Sequence, residues 1–287
     1  MRILVTGGSG RLGRNLQASV RRDSTTTWDF VANARGSSRS GPGFLDVTDE
    51  TAVHDHIAAT RPDVVVHLAS LAGPVCNDDR DRTFAVNTDA VRNLAEATSA
   101  LGVGRLIFAS TGAVYGDKYS VPASEHAAIS LNSWYAESKY QAEQAISEIT
   151  ANAPQLSAIV LRIFNIYGWG FDQSLVSRLW DSQSVPVVLK GMDNFSRDYT
   201  HVSSATDAIL AATTVTVTDP TTTLNVGSGV ALSNRDLTQL LGANRPLHFT
   251  VEDGEYSYSC ANIDAAKRIL GLSPLAPTAV SLAQALR

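Results

Sequence analysis

Residues Met1–Gly13 read MRILVTGGSGRLG. Ile3-Leu4-Val5 is an apolar run too short for a helix and typical of a buried parallel strand. It breaks into Thr6-Gly7-Gly8-Ser9-Gly10, after which Leu12, Leu16 and Val20 continue at helical spacing. Strand, glycine turn and helix together form the setting in which a Gly-x-x-Gly-x-x-Gly pattern carries meaning. Gly7 permits the tight turn, Gly10 lets backbone approach a diphosphate, and Gly13 lets the helix pack closely on the strand. The helix N-terminus offers free N–H groups and a positive dipole end to phosphates. The stretch predicts a dinucleotide cradle, with a plain Gly-rich turn as the alternative.

The bulk figures fit that prediction. The 287 residues suffice for one large domain, or for a core with a smaller lobe. At 44% hydrophobic and 18% charged, the composition is that of an ordinary globular chain. Net charge is -5 and no basic stripe stands out, which argues against a nucleic-acid partner. Arg11, Arg14, Arg21 and Arg22 read as a solvated helix face. No apolar run approaches the roughly 18 residues of a membrane span. The chain opens on a core strand, so no leader is expected. Cys76 and Cys260 read as free and partly buried, and the expected location is cytoplasmic.

A second strand is expected over 27–34. In an NAD-binding unit an acid at its end grips the ribose 2′-hydroxyl. None is present; Arg35, Ser37, Ser38 and Arg39 stand there instead. Guanidinium and hydroxyl groups suit a 2′-phosphate, which favours NADP(H) and leaves NAD(H) possible. Phe44–Val47 reads as a third strand, with Asp46 placed to accept from an adenine amino group. Asp49 reads as the cap of a helix over 50–59. Val64–Ala69 is a buried strand, and the small residues at its end leave room for a cofactor. His67 reads as a structural histidine beneath that crevice. A helix is expected over 81–101, with Asn87 bonding back to strand ends. Arg105–Ala109 is a strand ending in Ser110-Thr111.

The chemistry becomes specific on the helix expected over 133–149. Tyr135 and Lys139 are four apart and share a face. A phenol with pKa of about 10 is a poor base at neutral pH. An ammonium one turn away, with a positive nicotinamide ring, lowers that pKa. The Thr111 hydroxyl then orients a substrate alcohol or carbonyl against the phenol.

With these residues in hand, the chain resembles the extended short-chain dehydrogenase/reductases, in their sugar-nucleotide epimerase/dehydratase group. The matching pieces are Thr6–Gly13, Asp46, His67-Leu68-Ala69, Asn87, Ser110–Gly116, Tyr135–Lys139, Leu161–Gly168, Arg197–Val202 and Asn225–Gly229. The resemblance implies an α/β fold: a doubly wound Rossmann parallel sheet with a smaller C-terminal substrate lobe. Residues 1–165 and 200–228 would form the Rossmann part, 166–199 and 229–287 the lobe. Thr111, Tyr135 and Lys139 would be catalytic. Gly7, Gly10, Arg11, Leu12, Gly13, Arg35, Ser37, Asp46, Val47, Leu68, Ala69 and Asn87, with Tyr135 and Lys139, would hold the cofactor. Asn165 and Arg197 would join Thr111 at the substrate, Arg197 on its diphosphate. No metal is expected. A homodimer is, through helices 82–101 and 133–149, where Ala136, Ala142 and Ala145 permit close approach; a face buried within one chain would look the same.

The resemblance also sorts the reactions. Dehydratases of this group place an Asp-Glu pair where this chain has Gly112 and Ala113. A 3,5-epimerase-reductase of the GDP-fucose type carries a pocket Cys and His; Cys76 and His126 read instead as a packed thiol and a loop residue. In the tail, relatives carry a basic residue for the diphosphate, where this chain has Val251-Glu252-Asp253-Gly254-Glu255. The expected activity is NADP(H)-dependent 4-ketoreduction of a sugar, most simply a nucleotide sugar. NAD-dependent 4-epimerisation is the alternative. A non-catalytic NADP(H)-binding regulator forms a third class, but such proteins typically lack the Tyr or the Lys, and both are present.

Overall fold

The apolar run Ile3-Leu4-Val5 is the middle of strand β1 (Arg2–Thr6) and is wholly buried. The computed structural model describes residues 1–20, 25–33, 43–181, 185–243 and 245–285. From β1 the chain passes through the glycine turn into α1 (Arg11–Ser19). Next come β2 (Thr27–Asn33), β3 (Phe44–Leu45), α2 (Glu50–Thr60) and β4 (Val64–His67). Short α3 (Val75–Asp78) leads to α4 (Arg80–Phe84), a π-turn (Ala85–Asp89) and α5 (Ala90–Ala100). Then follow β5 (Arg105–Thr111), α6 (Trp134–Ala151), β6 (Ser157–Ile163) and β7 (Ile166–Tyr167). The second half holds α7 (Leu175–Trp180), β8 (Val187–Lys190), β9 (Phe195–Asp198), β10 (Thr200–His201), α8 (Val202–Ala212) and β11 (Thr221–Val226). It closes with β12 (Ala231–Ser233), α9 (Asn234–Gly242), β13 (Phe249–Glu252), β14 (Ser257–Ser259), α10 (Asp264–Leu270) and α11 (Ala279–Ala285).

Seven strands form one sheet in the order β11-β6-β5-β4-β1-β2-β3, with every pairing parallel. Alternating side chains feed two cores. Leu4, Val65, Leu106 and Phe108 face Val53 and Ile57 of α2, Leu94 of α5 and Ile146 of α6. Ile3, Val5, Val66 and Ile107 face Leu16 of α1, Ile209 of α8 and Leu270 of α10. The sheet is therefore doubly wound, and strands buried on both faces read as continuous apolar runs. The strand order reverses between β1 and β4, which places a ligand crevice at their carboxyl ends. A further cluster, including Tyr167, Leu179, Leu189, Tyr199, Leu232 and Leu237, packs the small sheets β12-β9-β14 and β13-β8 with α7 and α9.

Several expected boundaries shift for local reasons. β3 stops at Leu45 rather than Val47, because Asp46 turns back to accept from Thr48 N (3.0 Å) and Thr48 Oγ1 (2.7 Å). The helix expected over 81–101 is interrupted by the π-turn. Asp49 does cap α2, accepting from Ala52 N at 3.0 Å. Ala136, Ala142 and Ala145 are buried within the single chain, one of the two placements their small size allows. Cys76 and Cys260 are both fully buried rather than partly so. No helix among the described residues is long and apolar enough to cross a membrane.

Gly13 shows how tightly the turn is built. A Cβ there would collide with Gly7 O and lie 2.8 Å from Gly8 Cα. Gly13→Ala should therefore push α1 off β1, at a cost of about 1–3 kcal/mol. A chemical-denaturation midpoint equal to wild type would contradict this packing.

Candidate active site

The cradle at the sheet's carboxyl edge is shaped by glycine. Gly7 has φ +76°, and a Cβ there would lie 2.5 Å from Ala69 N. Gly10 N donates to Gly7 O at 2.9 Å, closing the turn. Gly10 caps α1 with no side chain, and the first turn holds no acid. Its leading N–H groups thus face a cavity of about 890 Å³ lined by Gly7, Gly10–Arg14, Leu68, Ser70–Ala72 and Phe171. A second cavity of about 440 Å³ holds Thr111, Tyr135, Lys139, Asn165, Asp117 and Arg197. The two share Leu12, Leu68, Ser70, Ala72 and Phe171, so they form one crevice.

Thr111 ends β5 and is 8% exposed. Its Oγ1 accepts from Ala113 N at 3.2 Å, which leaves its proton for the Tyr135 phenol. Ser133 caps α6 by accepting from Ala136 N at 3.2 Å, and so fixes where that helix begins. Lys139 is 2% exposed, and its Nζ sits 4.1 Å from the centroid of the Phe108 ring. No hydrogen-bond acceptor meets that ammonium among the described residues. Burial pulls its pKa down to about 7, against the Glu143 carboxylate and the Cys76 sulfur. His67 lies below, stacked on Phe108 and bonded through Nδ1 to Thr6 Oγ1 (2.8 Å). Burial, then Lys139, hold it neutral with a pKa of about 3.

The expected lowering of the Tyr135 pKa does not appear in the chain alone. Burial raises it, the Cys76 sulfur adds to the rise, and the Thr111 bond and Arg11 only partly offset it. The reason is solvation: a phenolate loses more by leaving water than these neighbours return.

The remaining expected cofactor residues fall into distinct places. Leu12 and Leu68 line both cavities, and Arg11 lines the larger. Ala69 backs the turn at Gly7. Val47 packs with Ala69 and Ala90. Asp46 keeps only part of its carboxylate free, because of its Thr48 bonds. Asn87 does not reach the crevice directly. It is fully buried, with Oδ1 accepting from Leu71 N (2.8 Å) and Ser70 Oγ (2.9 Å). Its Nδ2 donates to Leu71 O (3.0 Å) and Ser138 Oγ (3.2 Å). It clamps the loop after β4 to α6. Arg35 and Ser37, with Ser38 and Arg39, lie outside the described residues.

Of the expected substrate residues, Asn165 stands exposed in the crevice, its Nδ2 on Asp198 O (3.0 Å). Arg197 reaches the crevice wall but is already engaged. It lies 3.8 Å over the Phe195 ring, donates Nη2 to Ser257 Oγ (2.7 Å) and faces Asp117 Oδ2 (3.4 Å). Ser257 also donates to Asp117. Asp198, fully buried, anchors this wall by accepting from Ser228 N (2.8 Å), Gly229 N (3.0 Å) and Ala261 N (3.2 Å). Asp117 is absent from the expected set. The matching motif ends at Gly116, one residue short of it.

Arg11 and Arg14 are exposed, as the sequence reading has them, and each also lies beside a ring from the second half of the chain. Arg11 lies 5.3 Å from the Phe171 ring centroid and Arg14 6.0 Å from that of Trp169, while Asn15 Nδ2 donates to Trp169 O (3.0 Å). Residues 168–171 thus lean on the glycine-loop helix. Among the described residues no group of three His, Cys, Asp or Glu could hold a metal.

The fold and crevice define an NAD(P)-dependent enzyme of the extended short-chain dehydrogenase/reductase class. The model of the NAD dependent epimerase/dehydratase family matches residues 3–227, and the chain belongs to that family. A UDP-glucose 4-epimerase of Rhizobium leguminosarum bv. trifolii is 28% identical, covering 95% of this chain and 92% of its own. A GDP-6-deoxy-D-talose 4-dehydrogenase of Aggregatibacter actinomycetemcomitans is also 28% identical, over 84% of this chain and 79% of its own. Among solved structures, MoeE5 in complex with UDP-glucuronic acid and NAD superposes with a TM-score of 0.86 at 25% identity, covering 100% of this chain and 98% of that one.

The crevice fits a nicotinamide dinucleotide. The glycine cradle excludes side chains where a diphosphate would lie, and the buried Lys139 ammonium lacks the acceptor that ribose hydroxyls supply.

Proposed function

We propose that the protein catalyses reversible hydride transfer at C4 of a nucleotide sugar, with inversion at that carbon as the net reaction. The observation that carries this reading is the meeting of Thr111, Tyr135 and the unpartnered Lys139 ammonium in the crevice that continues from the glycine cradle. A bound nicotinamide dinucleotide supplies hydride acceptance and return. Gly7, Gly10 and Gly13, with the α1 N-terminus, hold its diphosphate. Lys139 donates to its ribose. Thr111 orients the sugar hydroxyl, and Tyr135 Oη takes that proton and later returns it. The raised phenol pKa means Tyr135 waits in its protonated form until nearby positive charge favours the phenolate. Gly112 bears on the fate of the oxidised sugar. A Cβ there would lie 2.6 Å from the Phe164 ring, so the place that holds an acid in dehydratases has no room for a side chain. Elimination of water is thereby disfavoured.

The epimerase relative aligned along nearly the whole chain supports inversion. NADPH-dependent 4-ketoreduction is the second reading, favoured by Arg35 and Arg39 in place of an acid and by the 4-dehydrogenase relative. The test is to incubate the protein with UDP- and GDP-hexoses and their 4-keto forms, with NAD or NADPH. Inversion at C4 by NMR without net change in cofactor absorbance is expected. Stoichiometric loss of NADPH on a 4-keto sugar would select the second reading, and no turnover of any of these would overturn both.

A further inference from the structure

The catalytic helix carries one charge that hydride transfer does not use. Glu143 stands one turn beyond Lys139 and two beyond Tyr135 on α6. It is 6% exposed. Its carboxylate accepts from the Ser110 hydroxyl, from Arg162 Nε (3.1 Å) and from Arg162 Nη2 (2.6 Å). Ser110 is the chain neighbour of Thr111. One carboxylate therefore joins the helix of Tyr135 and Lys139 to the strand end of Thr111. Arg162 extends the tie through Nη1 to Tyr115 Oη (2.7 Å), which donates to Asn225 Oδ1 (2.8 Å). A bidentate guanidinium–carboxylate pair fixes geometry as well as charge, and reacting groups displaced by an ångström lose large factors in rate.

The surroundings of Lys139 make the charge of Glu143 count as well. The groups about that ammonium are the Phe108 ring, neutral His67, the Cys76 sulfur and Glu143, with Tyr135 one turn back on the same helix. Burial keeps Cys76 in its thiol form. Glu143 is the remaining anion beside a cation that burial pushes toward neutrality.

We propose that Glu143 is a positioning residue: through Ser110 and Arg162 it sets the Tyr135–Lys139 helix against Thr111, and from one turn along that helix its carboxylate is the counter-charge of Lys139. This rests on the reading that Lys139 donates to the ribose. Lys139 holds ribose while protonated, so affinity falls as pH rises through its pKa, and without Glu143 that fall comes at lower pH.

The experiment titrates NADH and NADPH binding across pH, by protein fluorescence, in wild type, Glu143→Gln and Glu143→Gln/Arg162→Met. The double variant leaves no unpaired charge inside should the single one fail to fold. In Glu143→Gln the midpoint for loss of binding should move to lower pH by about one unit; in the double variant, which gives up the Arg162 charge as well, it should move the same way by less. A folded variant with a reduced melting temperature but an unmoved midpoint would overturn the proposal and leave Glu143 a strut. Lys139→Met separates the two readings. If it leaves the titration in place, the ribose assignment fails and takes the proposal with it. If it abolishes the titration while Glu143→Gln leaves the midpoint fixed, only the role of Glu143 fails.

Discussion

Tyr135→Phe should reduce kcat at least a hundredfold, and about ten-thousandfold at the upper end of what positioned acid–base groups contribute. The ring, its place on α6 and its packing all survive; only the oxygen that carries the proton is lost. Dinucleotide affinity should stay within about threefold of wild type, because the cradle and Lys139 are untouched. Thr111 would keep its bond from Ala113 N, so the strand end should not move. Single-turnover assays with a 4-hydroxy or 4-keto nucleotide sugar, alongside binding of NADH, separate the two quantities. Turnover at the wild-type rate would remove Tyr135 from the chemistry altogether.

Arg162→Met should have the largest effect on stability, about 3–5 kcal/mol by chemical denaturation. The reason is the partner left behind. Glu143 would remain buried at 6% exposure with the Ser110 hydroxyl as its one remaining side-chain donor. Tyr115 would lose its guanidinium neighbour as well. The wild-type pair itself need not stabilise the fold by that amount, because taking two charges from water costs much of what their attraction returns. The double variant Glu143→Gln/Arg162→Met should therefore recover most of the loss. If the single and double variants were equally unstable, the cost would belong to lost packing and not to a stranded carboxylate.

How much of this molecule is legible in its sequence depends on the range of the interactions involved. The glycine cradle is local: Gly7, Gly10 and Gly13 lie within seven residues, and the strand before them is a continuous apolar run. Tyr135 and Lys139 are a helical turn apart, so their shared face needs only the helix period. The clasp on Arg197 is different, because Asp117 and Ser257 are 140 residues apart in the chain. No spacing or periodicity announces that meeting. Arg162 likewise sits inside the apolar run of β6, and only the fold brings Glu143 opposite. The direction of the phenol pKa escapes the sequence for a related reason. Charge neighbours are visible along a helix, but the loss of water around Tyr135 depends on the whole crevice.

The π-turn at Ala85–Asp89 carries one residue more than the helical path from α4 to α5 requires. Chain length and spatial length are therefore out of step at that point, and the surplus falls on Asn87. A helix of unbroken α period would turn the following residues by about 100° relative to those before. The flanking faces could still pack, but the amide that grips Leu71 would point elsewhere. The local alignment of this segment with any relative lacking the widened turn thus demands a one-residue gap inside a helix. Such a gap, usually taken as an alignment error, would here mark where the loop beside the cofactor crevice is fastened.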